Sequence, residues 1–360
     1  MNKYLIALVL ACWAVPLQAE YETQKLVSGL LIPWGMTFAD DNTLLVTERN
    51  GHIVAVNLNT GRTTQLMENP EDLYASGQGG LLDIIMSPFS PGWVYVTYSK
   101  ITATGSDTAL ATFYFSDNKL TQFQTIFVAT SGSSGNRHYG SRLTFDDQYL
   151  YMSLGDRGDR KNAQNLSNHA GSILRLNPGG TIPTSNPFYS KKRAKKAIWS
   201  FGHRNPQGLF YDPQSKTLWS IEHGPRGGDE INQILKGANY GWPITSHGKE
   251  YWGPVNVGEA KEKAGIESPI KVYTPSIAPA SLLLYRGQNY PELNGKLLAP
   301  ALKLKHLNVV TLNKNNQAID ERRILQTLDE RIRHVIISPK DELIFSTDQG
   351  NIYRIIPKSE

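Results

Sequence analysis

A recurring hairpin constrains this sequence more than any other feature. Over residues 43–58 an apolar run turns at Arg49-Asn50-Gly51 into a second, alternating run, and Asn-Gly between such runs is a strong hairpin signal. The same unit returns over residues 342–356, turning at Gln349-Gly350-Asn351. Looser versions lie at 93–115, 149–176, 217–235 and 296–312. Six units, unevenly spaced because several carry inserted loops, predict an all-β fold of one kind: a six-bladed β-propeller around a central channel. A two-domain β-sandwich is the alternative. The 31 Gly and 20 Pro interrupt the chain too often for a helical bundle, and 40% hydrophobic against 19% charged residues is too apolar for disorder. The net charge of +5 is spread too evenly to imply nucleic acid.

Met1-Asn2-Lys3, an apolar stretch over 4–15 and Pro16-Leu17-Gln18-Ala19 have the order of a secretory signal peptide, cleaved after Ala19. Residues 20–360 are then a single propeller. The apolar stretch is shorter than the ~20 residues a membrane-spanning helix needs, and no later run is long enough, so stable membrane insertion is not expected. The only cysteine, Cys12, lies inside the signal, which leaves the mature chain without a disulfide. Val9-Leu10-Ala11-Cys12 faintly resembles a lipoprotein cleavage site, so lipidation of Cys12 is an alternative.

If blades surround a channel, loops at one mouth bring distant residues together, and polar residues between strands are the candidates for chemistry. His138, in Asn136-Arg137-His138-Tyr139-Gly140-Ser141-Arg142-Leu143, sits at a loop-to-strand junction where a neutral imidazole can take a proton from a substrate hydroxyl. Asp156, one strand later after Gly155, can orient it, although turn statistics favour an ordinary turn aspartate there. His203-Arg204-Asn205-Pro206-Gln207-Gly208 packs hydrogen-bonding groups around a fixed turn. Its Arg204 offers a planar donor fork for a carboxylate or carbonyl. His223-Gly224-Pro225-Arg226-Gly227-Gly228-Asp229-Glu230, followed by Asn239-Tyr240-Gly241-Trp242-Pro243, combines carbonyls and acids of the hard kind that suits Ca²⁺. Lys303, and Arg331 with Arg333, alternate with apolar residues, so along a strand each set would put cations on one face. Cations clustered at a channel mouth would hold a ligand with several carboxylates or phosphates. The basic run at 191–196 lacks interleaved aromatics and reads as solvated surface.

Taken in order, these segments resemble the soluble pyrroloquinoline quinone (PQQ)-dependent sugar dehydrogenases, most closely their periplasmic aldose sugar dehydrogenase branch. The likeness runs from about Leu31 to Ile356. It rests on Gly77-Gln78-Gly79-Gly80-Leu81-Leu82, His138 with Gly140-Ser141-Arg142-Leu143, Gly155-Asp156, residues 202–208, Gly224-Pro225 with Asp229-Glu230-Ile231-Asn232, Asn239-Tyr240-Gly241-Trp242-Pro243, Leu302-Lys303 and Arg331-Ile332-Arg333. The resemblance implies PQQ over the channel mouth, met by Gln78, Arg204, Asn205, Tyr251, Lys303, Arg331 and Arg333. It implies one Ca²⁺ at the backbone oxygens of Gly224 and Pro225, and a further, structural Ca²⁺ at Glu230 and Tyr240. It also implies His138 as the base that takes the anomeric hydroxyl proton while hydride passes from sugar C1 to PQQ, giving a lactone, with electrons leaving to an external acceptor. Arg204 and Ca²⁺ would polarise the quinone.

Two departures from the glucose dehydrogenase branch matter. Arg137 stands where that branch has an acid before its histidine, so no second acid is expected there. The inserted loops are short, which favours a monomer with an open cleft and broad aldose tolerance. Two other functions compete: a propeller binding module that has lost its cofactor, and a Ca²⁺-dependent lactone or ester hydrolase.

Overall fold

The computed structural model describes residues 21–67 and 70–357, so the signal-peptide and Cys12 expectations lie outside the described residues. Those residues form six four-stranded antiparallel sheets, with three short 3₁₀ turns. Numbered along the chain, the blades span 33–67, 81–128, 143–201, 206–273, 283–324 and 332–355. The last has only three strands of its own. Its fourth is the first strand of the chain, Thr23–Val27, which pairs antiparallel with Ile352–Ile355. The two ends of the chain thus close the ring, and no blade is left with an open joint to its neighbour.

Each of the six hairpins read from the sequence is the second and third strand of one blade. At the first, Gly51 donates its N–H to the Glu48 carbonyl (2.9 Å); at the last, Gly350 donates to Thr347 (3.0 Å). Both glycines have positive φ, +126° and +85°, which a side chain would oppose. The central strands bury both faces, so they read as nearly continuous apolar runs, as at Thr43–Glu48 and Leu150–Leu154. One apolar cluster fills each gap between neighbouring blades. Leu44 and Val46 pack against Ile344 and Ile352 of blade 6, while Leu45 faces Leu81 and Val96 of blade 2. Alternation along a strand therefore chooses between two neighbours rather than between core and water.

The channel is plugged. The Arg142 guanidinium, buried before blade 3, bonds Asp83 of blade 2 (2.5 Å), the Gln207 carbonyl of blade 4 (2.9 Å) and the Ala280 carbonyl ahead of blade 5 (2.9 Å). It also lies over the Trp34 ring of blade 1 (4.3 Å). From blade 6, His334 Nδ1 accepts the Met36 N–H of blade 1 (3.0 Å). A cavity of about 460 Å³, lined mainly by apolar inner-strand residues of all six blades, fills the channel on the side of the plug away from His138. Among the described residues no helix is long and apolar enough to cross a membrane.

Candidate active site

In four blades an acid at or just past the end of the second strand ties down the segment that leads into the inner strand of the same blade. Glu48 accepts the Leu31 N–H (2.7 Å), Asp156 meets His138, Glu222 accepts the Arg204 N–H (2.6 Å) and Asp348 meets Arg331. Glycine follows each acid within three residues, at Gly51, Gly158, Gly224 and Gly350. The repeat thus builds a ring of carboxylates at one mouth, and each blade uses its carboxylate differently.

In blade 3 the acid orients a base. His138 Nδ1 lies 2.6 Å from Asp156 Oδ1, and the two side chains are 12% and 2% exposed. A carboxylate at Nδ1 fixes that nitrogen as the N–H, leaving Nε2 as the lone-pair side. No described residue bonds Nε2. His138 adopts a left-handed φ of +57°, and its backbone N–H donates to Gln78 Oε1 (2.7 Å). Gly155 makes this approach feasible, because a Cβ there would collide with the His138 carbonyl. Burial pulls the His138 pKa below the usual imidazole range; Asp156 opposes this, while Arg204 and Arg137 add to it. Burial alone would raise Asp156, but the His138 and Gly158 hydrogen bonds and the charges of His138 and Arg204 carry it below the usual carboxylate value.

His138 opens onto a cavity of about 720 Å³, within the range of small-molecule sites, roughly 300–1,000 Å³. Gln78, Arg204, Asn205, Gly224, Pro225, Tyr251 and Lys303 line it, so these sequence candidates from blades 2, 3, 4 and 5 and their loops do converge. Arg204 Nη1 donates to the His223 carbonyl (3.1 Å), and Nη2 lies 3.5 Å from the Tyr251 hydroxyl. Asn205 Oδ1 accepts the Gly140 N–H (3.2 Å), and Tyr251 is 69% exposed at the rim. Arg226, Lys249 and His247 add further basic lining. Asp229 is the one acid in the lining, and it is occupied by the backbone N–H groups of Gly224 (2.9 Å) and Ala278 (2.8 Å). A lining this rich in donors suits a polyanion such as a tricarboxylate.

Three expectations need correction. Lys303 stands in the turn between Lys296–Ala301 and His306–Leu312, not on a strand face; the turn, rather than strand alternation, aims it at the cavity. Arg331 precedes strand Ile332–Ile337, so only Arg333 lies on a strand. Both arginines bond Asp348 (2.8 Å each at Nε) and neither lines the cavity, although Arg331 Nη1 reaches the Leu302 carbonyl beside Lys303 (3.3 Å).

Glu230 and Tyr240 border a separate hollow of about 10 Å³, atom-sized, together with Glu222, Gly224, Pro225, Thr245 and Ser246. Glu222 and Glu230 are directly opposite across two strands. Burial, then Glu222 and Asp229, push the Glu230 pKa well up. The Tyr240 hydroxyl is already used, donating to the Gln233 carbonyl (2.6 Å) and accepting the Leu235 N–H (2.8 Å), so only its backbone carbonyl is available. An oxygen-liganded cation fits these groups. No cluster of three or more His, Cys, Asp or Glu side chains suited to a metal occurs among the described residues.

Sequence reasoning passed over Glu222 and the roles of His203 and His223. Glu222 Oε1 bonds His203 Nδ1 (2.8 Å). Burial, then Arg204, His138 and Arg333, push the His223 pKa down to about 3, and its Nε2 is buried without a partner. The acid-then-glycine ending of the second strand was the signal that marks Glu222.

The fold and site together define a six-bladed propeller carrying a histidine–carboxylate pair above a cation-lined cleft. Residues 30–354 match the family described as Glucose / Sorbosone dehydrogenase, and the chain belongs to that family of sugar-oxidising oxidoreductases. It is 37% identical to the aldose sugar dehydrogenase YliI of Escherichia coli K12, over 99% of this chain and 97% of that protein. The crystal structure of the soluble aldose sugar dehydrogenase from Escherichia coli, an apo form, superposes with a TM-score of 0.89 at 34% identity, covering 94% and 99% of the two chains. The PQQ-bound aldose sugar dehydrogenase of Streptomyces coelicolor superposes with a TM-score of 0.77 at 27% identity, covering 94% and 99%.

Proposed function

We propose that this chain oxidises aldose sugars at C1 to lactones, using PQQ and Ca²⁺, with His138 as the general base. The observation that carries the reading is the free Nε2 of His138, oriented by Asp156 and facing a cleft lined by cations. When bound, PQQ supplies a two-electron hydride acceptor and Ca²⁺ a Lewis acid beside it. Arg204 and Lys303 neutralise carboxylates that would be costly to desolvate, Asn205, Gln78 and Tyr251 complete the cradle, and the carbonyls of Gly224 and Pro225 offer oxygens to the ion. Arg331 and Arg333, both held by Asp348 outside the cleft lining, would add only positive charge near its mouth. His138 Nε2 takes the proton from the anomeric hydroxyl as the C1 hydrogen leaves with its electron pair, so the C1–O1 bond becomes a carbonyl. Asp156 holds the resulting imidazolium in place. Glu230 and the Tyr240 carbonyl hold a structural Ca²⁺. The mature chain works as a periplasmic monomer and passes electrons to an external acceptor.

A hydrolase with a channel metal would require several side-chain carboxylates around one ion, and the cleft instead gathers Arg and Lys. Reconstitution decides between enzyme and binding module. Cofactor-free protein titrated with PQQ and Ca²⁺ is expected to bind the quinone by absorbance and then reduce a dye when given aldoses. Absence of quinone binding overturns the proposal in favour of a binding module.

A further inference from the structure

The motif Asn239-Tyr240-Gly241-Trp242-Pro243 contains one large side chain that the reading above leaves without a task. The indole N–H of Trp242 donates to Asp156 Oδ2 (2.8 Å), the oxygen that does not face His138. Oδ1 already accepts from His138 Nδ1 (2.6 Å) and the Gly158 N–H (2.8 Å), and no other described residue bonds Oδ2. A carboxylate on a short side chain can rotate about its last bond, and a fixed donor on each oxygen stops that rotation.

Trp242 is itself clamped. Its backbone N–H donates to the Gly202 carbonyl (2.9 Å) and its carbonyl accepts from Gln164 Nε2 (2.8 Å). Gln164 and Asn239 exchange two amide hydrogen bonds of 2.9 Å each. Gly202 admits this packing, since a Cβ there would strike the Asn239 side chain. The ring face lies beside the Arg204 guanidinium (5.3 Å) and, less closely, that of Arg160 (5.6 Å). One buried indole therefore touches the partner of the base with its edge and the cleft arginine with its face.

We infer that Trp242 is a positioning residue for the base: its indole N–H fixes Asp156 so that Nδ1 of His138 keeps the proton and Nε2 presents its lone pair to the cleft. This rests on the reading of His138 as the base. Loss of an outer hydrogen-bond partner of a metal-bound histidine or carboxylate typically costs about 10–100-fold, and the lower end of that range sets the scale for a donor to the partner of a base. Truncating the indole to a phenyl ring removes the donor while keeping an aromatic face for Arg204.

The test is a cycle of Trp242→Phe, Asp156→Asn and the double variant in the PQQ- and Ca²⁺-loaded protein, beside His138→Asn. Trp242→Phe is expected to lower kcat about 10-fold with KM for the aldose within about 2-fold, and to cost under about 2-fold in the Asp156→Asn background, because the group it acts through is already altered. An unchanged kcat, an equal loss in both backgrounds, or weakened PQQ binding with kcat intact at saturation overturns the inference. Retained turnover in His138→Asn overturns the reading of the base itself; loss there with full turnover in Trp242→Phe overturns only the role of the indole. Should Trp242→Phe fail to fold, the indole ¹⁵N–¹H resonance of Trp242 in the cofactor-free chain decides. It is expected to move on Asp156→Asn, and an unmoved resonance overturns the inference.

Discussion

Two histidine–carboxylate pairs stand at the entries to the inner strands of successive blades. His138 precedes the inner strand of blade 3 and meets Asp156 at 2.6 Å; His203 precedes that of blade 4 and meets Glu222 at 2.8 Å. Their other nitrogens differ. His203 Nε2 lies 2.9 Å from the Ser200 hydroxyl, its ring stacks on Tyr240 with centroids 4.7 Å apart, and no part of it reaches solvent. His138 Nε2 faces the cleft. A carboxylate at Nδ1 is thus common to both pairs, and only the freedom of the second nitrogen separates a candidate base from a buried strut.

Substitution at each pair breaks or sharpens that contrast. The largest effect is expected at His138→Asn, since Asn tolerates the left-handed backbone there: turnover of reconstituted protein falls about 10²-fold or more while the melting temperature stays near that of the parent. At His203→Ala the order reverses. Glu222 loses its buried donor, stability falls by about 2–3 kcal/mol in urea unfolding, and turnover per folded molecule falls far less than for His138→Asn. The blade 4 pair also borders the crowded Glu222 and Glu230 carboxylates, so Ca²⁺ at about 100 times its Kd is expected to stabilise the cofactor-free chain by about 2.7 kcal/mol, an increment that Glu230→Gln abolishes in thermal melts.

The smallest effect is in titration. Burial disfavours the imidazolium of His138, so its midpoint by NMR in the cofactor-free chain is expected below the ordinary value of about 6.5. Asp156 favours the charged ring, so Asp156→Asn moves the midpoint lower still. A rise on that substitution would show that the carboxylate does not act on the ring as the geometry implies.

The two pairs were not equally legible. Asp156 stands in a turn, beside a glycine and within a recognisable segment, so its partnership with His138 could be anticipated. Glu222 hides at the end of the apolar strand Thr217–Glu222, and only comparison with Glu48, Asp156 and Asp348 reveals that a strand-end acid followed by glycine is a repeated device. The alternating cations around Arg331 suggested a strand face. Arg331 proved to lie outside the strand, and a single acid fifteen and seventeen residues away in sequence took both guanidinium groups.

Hairpins, turn glycines and the apolar runs between them are local, and a strand's pattern together with its turn residues encodes them, so the six-bladed fold could be read from the chain itself, whereas cleft members such as Tyr251 were reached only through the family resemblance. Which acid meets which base depends on how the blades stand around the axis once Thr23–Val27 has closed the ring. Trp242 and Asp156 are 86 positions apart and belong to different blades, and no periodicity links them. Packing between sheets brings that indole to that carboxylate, and hydrogen bonds act only across the few ångströms that packing sets.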